Sequence, residues 1–393
     1  MQYNEKFKKL LNSFPINGKQ SIDWDAIKIT ALGTVLDEMA KTMQNPEYHA
    51  EGDVFTHTAM VCERLIEQEE YINSPEEDKT VLFLAAILHD IGKIRCTRLE
   101  EGKWVSPYHS SVGALMAREL LWKEFGLCGD PEKRELRESV CNLIRYHSFP
   151  PYAIDDRNAE RKILKIAANG ELSPGFSMRK LCLLERADGM GRISGDGVRD
   201  QLGKTECCQM LAEELGCLDA PFGFANPFSA RAYFSGKSNW KEQEMFNDSW
   251  GEVILLSGMP GTGKDTWITK NCPHLPMISL DEIRKELKIS PTDNQGAVIA
   301  EAHERARAYL RKKQSFVWNA TNTTSMMRSK QITLFEQYNA SVRTVFLETD
   351  WSTQLGRNRS RKAEVPEAVL HKLLSKLEIP ERYECETVCW ETV

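Results

Sequence analysis

The chain has 393 residues, a formal net charge of −6, 41% hydrophobic and 27% charged residues, too long for one ordinary core and set for two domains. This is the composition of a soluble globular protein, and its negative balance argues against a general polyanion-coating protein while leaving room for a small basic groove that receives one nucleic-acid end. No run approaches the ~20 apolar residues of a membrane span, and the N-terminus, MQYNEKFKKLLNSF, lacks the apolar core of a secretory signal, so the expected location is the cytoplasm. The eleven cysteines are scattered without C-x-x-C pairs and are expected as reduced thiols, several of them in the core.

From Trp24 to Met43, Ile27, Leu32, Val35, Leu36 and Met39 recur at helical spacing. Similar patterns follow at Ala59–Gln68, Thr80–His89, Val112–Phe125, Glu135–His147, Glu160–Ala168 and Ser177–Ala187, with no convincing alternating strand. This predicts an all-helical N-terminal half. Five of the eight histidines lie in the first 150 residues. His57, His89-Asp90, His109, His147 and Asp188 are the candidate metal ligands. Taken singly, His147 reads as a satisfied core histidine in phase with Val140 and Ile144, and Asp188 as a helix cap. As a set they suit Mn, Fe, Ni, Co, Cu or Zn, because imidazole and carboxylate together favour such metals over Mg alone. Lys93 stands one turn beyond His89 and Arg192 four after Asp188, where each could meet a metal-bound phosphate.

This half resembles the HD phosphohydrolase superfamily. The match runs through His49–Thr58 (HAEGDVFTHT), the His89-Asp90 doublet with Gly92-Lys93, and then His109, His147 and Asp188. The resemblance implies two metal ions: one on His57, His89, Asp90 and Asp188, a second on His109 and His147 with Asp90 bridging. His49, Glu51 and Asp53 are expected to shape the entrance or support the ligands.

Leu215 to Trp250 carries prolines, glycines and aromatics and reads as a connection, with Arg231–Phe234 able to dock on either side. The division expected is 1–235 for the first domain, 236–250 for a linker and 251–393 for the second.

Val253–Leu256 reads as a buried parallel strand ending in Gly258-Met259-Pro260-Gly261-Thr262-Gly263-Lys264, which fits G-x-x-x-x-G-K. Glycines let backbone amides close around phosphates at a helix N-terminus, and Lys264 supplies a point charge for the β/γ oxygens. The next position, usually a Mg²⁺-ligating Ser or Thr, is Asp265, with Thr266 after it; either could serve the metal. Strand-like runs at Met277–Leu280, Ser315–Trp318, Val342–Leu347 and near Tyr383–Trp390 alternate with helical ones, predicting a P-loop α/β domain on a parallel sheet. Asp281 follows the second strand, with Arg284 three residues on; the pair reads as base and acceptor-binding residue, or as an N-cap and an exposed arginine. Arg357 and Arg361 fall one turn apart, either as a lid over a transferring phosphoryl group or as a solvated face.

These elements are similar to the 5′-hydroxyl polynucleotide kinase family: the glycine loop, Asp-x-x-Arg, a strand closing in Thr-Asn, and Arg-Asn-x-x-Arg before Val365-Pro366. By that resemblance Asp281 is the general base, Arg284 contacts the acceptor phosphate, Arg357 and Arg361 form the lid, and ATP or another NTP is used with Mg. Asn319-Ala320 departs from it where relatives often carry an acid. The whole chain resembles the bacterial bifunctional HD-domain/polynucleotide-kinase end-healing enzymes. That resemblance implies RNA or DNA ends as substrates, a downstream ligase and no membrane. A nucleoside or small-molecule kinase fused to a nucleotide phosphohydrolase is the alternative, and a nucleotide-sensing adaptor a third.

Overall fold

The computed structural model describes residues 3–16, 21–194, 197–361 and 363–393. Compactness divides them into two units: Met1–Leu127 with Glu132–Phe222, and Cys128–Pro131 with Gly223–Val393.

The first unit is helical. Its central helix, Glu76–Leu88, is buried on every side from Val81 to Leu88, as an apolar helix without a polar face must be. Each large side chain there contributes roughly 1.5–3 kcal/mol relative to exposure. Against it pack Val54–Glu67 and Met178–Met190. Asp53 caps the first of these by accepting from the Thr56 amide at 2.9 Å, and Ser177 caps the last. The periodic run from Trp24 to Met43 is two helices, Trp24–Lys28 and Gly33–Ala40, interrupted by a turn in which Thr30 Oγ1 donates back to the Ile27 carbonyl. A second correction is a small hairpin, β1 (Arg98–Glu100) and β2 (Lys103–Val105). Three-residue strands leave no readable alternation, but Glu101 and Gly102, at φ 49° and 79°, have the two left-handed residues of a tight hairpin turn.

The second unit is a five-stranded, fully parallel sheet in the order β4-β5-β3-β6-β7. The strands are β3 (Glu252–Ser257), β4 (Met277–Ser279), β5 (Val317–Asn319), β6 (Ser341–Glu348) and β7 (Thr387–Thr392). β3 is buried from Val253 to Ser257, the mark of a strand covered on both faces. One face packs Ile254 and Leu256 against Trp267, Ile268, Val345 and Leu347. The chain moves to one side of β3 for β4 and β5 and to the other for β6 and β7, so β3 is the switch point where such sheets open a crevice.

Gly223–Trp250 belongs to this second unit. It contains a helix, Pro227–Phe234, capped by Asn226. Arg231 settles which side it docks on: its guanidinium donates to Glu336 at 2.7 Å and to the Tyr383 carbonyl at 3.2 Å. Among the described residues no helix is long and apolar enough to cross a membrane.

Candidate active sites

The first unit gathers all the candidate metal ligands named above, His57, His89, Asp90, His109, His147 and Asp188. His89 and Asp90 follow the central helix, His57 sits at the fourth position of its helix, His109 opens its helix, His147 follows Pro131–Tyr146, and Asp188 lies inside its helix rather than capping it. His57 and His89 are 0% exposed, Asp90 and Asp188 1%. In three rings Nδ1 donates to a carbonyl three residues back: His89 to Ala86 (2.8 Å), His109 to Ser106 (2.9 Å) and His147 to Ile144 (2.7 Å). With that nitrogen held by the backbone, each ring turns Nε2 to the centre.

That centre is electron-rich. His57 Nε2 lies 2.9 Å from Asp188 Oδ1 and 3.7 Å from Asp90 Oδ2, and His89 Nε2 lies 3.3 Å from Asp90 Oδ2. On the other side of Asp90, Oδ1 is 3.4 Å from His109 Nε2 and 3.9 Å from His147 Nε2. His109 and His147 face each other nitrogen to nitrogen at 3.3 Å, a contact two lone pairs do not make without positive charge between them. His89 Nε2 and Asp90 Oδ1 are buried without a hydrogen-bond partner, a cost few native groups carry unexplained. Ligand atoms of His57, His89 and Asp90, and of Asp90, His109 and His147, each converge within 4.8 Å. The donor set fits two divalent transition ions sharing Asp90.

Electrostatics agree. Burial and the neighbouring His89 and His109 push His147 down to about 3, and burial lowers His109 as well. Against burial, Lys93 and His89 hold the Asp90 carboxyl well below the usual range, and Arg192 and His57 do so for Asp188. Lys93 Nζ meets Asp90 Oδ2 and Gln44 Oε1, both at 2.7 Å. Arg192 folds back from just beyond the helix onto both oxygens of Asp188. Both cations therefore hold ligand carboxylates rather than pointing free into the site. Gln44, Ser110 and Ser148 were not foreseen. Ser148 Oγ is 3.1 Å from His147 Nε2 and 2.9 Å from Ser110 Oγ; adjacency to His147 and His109 was their only signal. Gly92 is fixed by packing: a Cβ there would lie 2.0 Å from the His109 carbonyl oxygen.

In the second unit β3 runs into the glycine loop. Gly258, at φ 149°, has no room for a side chain, since a Cβ would sit 2.6 Å from the Leu347 carbonyl oxygen. Asn322 supports the loop's base, donating to the Leu256 carbonyl at 2.6 Å and accepting from Ser257 Oγ at 2.9 Å through its own carbonyl. The loop is curled on Lys264, whose Nζ donates to the Gly258 and Met259 carbonyls, each at 2.9 Å. Burial lowers this ammonium to about 8. Gly261, Thr262 and Gly263 complete the loop, Thr262 Oγ1 donating to the Met259 carbonyl at 2.9 Å. Asp265 Oδ1 accepts from Asn319 Nδ2 at 2.7 Å, and Asp265 and Thr266 are both exposed.

Asp281 is not the cap of its helix; Ser279 is, accepting from the Glu282 amide. The Asp281 side chain is 66% exposed and pairs with Arg284 Nη1 at 2.5 Å and Arg361 Nη2 at 3.8 Å. Arg284 is braced by Gln295 Oε1 at 2.7 Å. The helix Trp351–Arg359 docks on the loop through Gln354, which donates to the Pro260 carbonyl at 2.9 Å. That helix ends before Arg361, so the two arginines do not share one helical face. Arg357 lies beside Gly263 and donates to the Val393 carbonyl at 3.3 Å, while Arg361 turns to Asp281.

Comparison with known proteins agrees with this geometry. Residues 54–168 match the HD domain family, and residues 253–380 an AAA domain family. An alignment 149 positions long, covering 33% of this chain, is 24% identical to heterogeneous nuclear ribonucleoprotein U-like protein 2 of Mus musculus and of Homo sapiens. The match spans 20% of the length of those curated relatives. The chain joins an HD hydrolase domain to a P-loop kinase-like domain.

Proposed function

We propose that the chain heals broken nucleic-acid ends. The kinase-like unit phosphorylates a 5′-hydroxyl, and the HD unit removes a 2′,3′-cyclic, 2′- or 3′-phosphate from the other end, leaving termini that a ligase can join in the cytoplasm. The observation that carries this reading is the pairing in one chain of two opposed phosphoryl chemistries: a buried imidazole–carboxylate cluster suited to removal, and a glycine loop with a carboxylate between arginines suited to transfer.

In the HD unit, His57, His89, Asp90 and Asp188 would hold one metal ion, and His109 and His147, with Asp90, the other. Two such ions supply Lewis acidity and a water of lowered pKa. The chain's own residues set the frame for that chemistry. The backbone carbonyls at Ala86, Ser106 and Ile144 orient three rings, and Lys93 and Arg192 keep the two aspartates ionised and in place.

In the kinase-like unit, the loop amides and Lys264 take the β/γ-phosphates of ATP or another NTP, with Asp265 and Thr266 toward Mg. Arg284 holds a phosphate of the acceptor strand. Asp281 accepts the proton of the 5′-hydroxyl as its oxygen attacks the γ-phosphorus and the bond to the β-phosphate oxygen breaks. Arg357 and Arg361 stabilise charge on the transferring group.

The test is one oligonucleotide carrying a 5′-hydroxyl and a 2′(3′)-phosphate. Lys264→Ala or Asp281→Ala is expected to abolish 5′ phosphorylation and spare phosphate release; His89→Ala is expected to do the reverse. A single substitution that silences both reactions, or a preference for a mononucleoside acceptor, would overturn the reading.

A further inference from the structure

Three of the four inward-facing rings take their Nδ1 acceptor from their own backbone, three residues back. His57 differs. It sits in the first turns of Val54–Glu67, at a position facing the loop that precedes the helix. That loop is His49-Ala50-Glu51-Gly52-Asp53. Gly52, at φ 103°, reverses the backbone so that Asp53 caps the helix while the Glu51 carboxylate faces back over its first turns.

Glu51 Oε1 lies 2.9 Å from His57 Nδ1, which also has the Gly191 carbonyl at 3.3 Å, and 2.8 Å from His49 Nδ1. Its other oxygen, Oε2, accepts from the Ile193 amide at 3.0 Å. The Ala50 amide donates to the Ile193 carbonyl at 2.9 Å, so the same loop pins the backbone just beyond Asp188 and Arg192. The Glu51 side chain is 1% exposed. His49, Glu51 and His57 have the residue types of a metal site. Yet both rings meet one and the same oxygen at hydrogen-bond length, which marks a shared acceptor for two N–H donors.

We infer that Glu51 is a positioning residue that fixes the His57 ring for one metal ion of the pair and not for the other. By holding the proton on Nδ1 it leaves Nε2, which faces Asp188 and Asp90, to donate its lone pair, and as a carboxylate it makes that lone pair more basic. His109 and His147 have no contact with Glu51 and keep their own backbone acceptors. The effect is therefore confined to the ion on His57, His89, Asp90 and Asp188.

This rests on the metal reading of the HD site, and the experiment separates the two. The full chain is stripped of metal and titrated with Mn²⁺, following bound ion by calorimetry and by the paramagnetic signal. The wild-type chain is expected to take up two ions. Glu51→Gln keeps the size but places an amide NH₂ against the Ile193 N–H and weakens the acceptor; it should bind one ion as wild type and the other roughly 10–100-fold more weakly. His49→Asn, which leaves the Glu51–His57 bond in place, should retain both affinities within about threefold of wild type. Both ions bound normally by Glu51→Gln would overturn the inference. Equal weakening of both ions in either variant would also overturn it, since general damage to the fold does not choose between them. A wild-type chain that takes up no ion would instead refute the metal reading itself.

Discussion

The two sites handle the same chemical group with opposite architectures. The HD centre is made of side chains from five segments, with the Asp90 and Asp188 carboxylates 1% exposed and neutralised from within by Lys93 and Arg192. The glycine-loop site is made of backbone, and its charged residues are held by partners of convenience: Lys264 by the carbonyls of its own loop, Arg357 by the Val393 carbonyl, Asp281 by two arginines at the surface. The first is preorganised by packing and needs only cations; the second holds donors that a polyanion must pull away from these contacts. Substitutions in the first should therefore be severe and insensitive to substrate, whereas those in the second should depend on pH, metal and nucleotide.

The largest effect is expected at Asp90, whose two oxygens face the two halves of the cluster. Asp90→Ala should reduce phosphate release by more than about 10³-fold, above the roughly 10²–10³-fold of a single stabilising donor. 5′ phosphorylation by the same preparation should stay within twofold of wild type, roughly the scatter expected between independent sites. Loss of both activities would mean that the units are not independent in chemistry. Next comes Lys264→Ala, expected to lower 5′ phosphorylation by about 10²–10³-fold with phosphate release unchanged. An equal fall in both would break the contrast.

The fold of each unit was readable because its signals were periodic and long. Glu76–Leu88 and β3 are continuous apolar runs with chemistry at their ends, so the sequence positions of His89-Asp90 and of the glycine loop already placed them. Site residues legible in this way were those whose type is rare and whose position ends an element. Partners drawn from elsewhere in the chain were not: Gln44 beneath Lys93, Asn319 beneath Asp265, and the carbonyls that fix three imidazoles are common groups with no local pattern. The hairpin β1–β2 was missed for its length, and the docking side of Arg231 because a helix of eight residues carries no long-range information. The reading of Asp281 as a possible cap failed because Ser279, two residues earlier, competes for that role.

A smaller, graded effect separates the sites by pH. Burial holds Lys264 at about 8 in the nucleotide-free loop. A bound triphosphate favours the ammonium, so above that pH binding takes up a proton, and affinity should fall by up to tenfold per pH unit until the bound-state pKa is reached. Below about pH 8 the lysine is already charged, and affinity should be flat on its account. Calorimetry in buffers of different ionisation enthalpy measures the proton uptake directly. Uptake at pH 7 equal to that at pH 9 would show that the loop does not desolvate Lys264.

The smallest effect, and the most specific, concerns Asp265 and Asn319. In the kinase pattern that this sequence resembles, an acid stands at the strand end and a hydroxyl follows the loop lysine; here the strand ends in an amide and a carboxylate follows the lysine, with 2.7 Å between the two. The acid has moved across the crevice, and Asn319 donates to Oδ1, which leaves Oδ2 to face a hard cation or its water. Removing that donor leaves the carboxylate in place but frees its rotamer. Asn319→Ala should weaken Mg·ATP binding by about fivefold, the ~1 kcal/mol of one hydrogen bond, and leave metal-free ATP binding unchanged. Asp265→Asn should remove the same Mg-dependent increment and more, because it removes the charge itself. If both variants weakened ATP equally with and without Mg²⁺, the pair would be supporting the loop rather than the metal, and Thr266 would be the residue to test next.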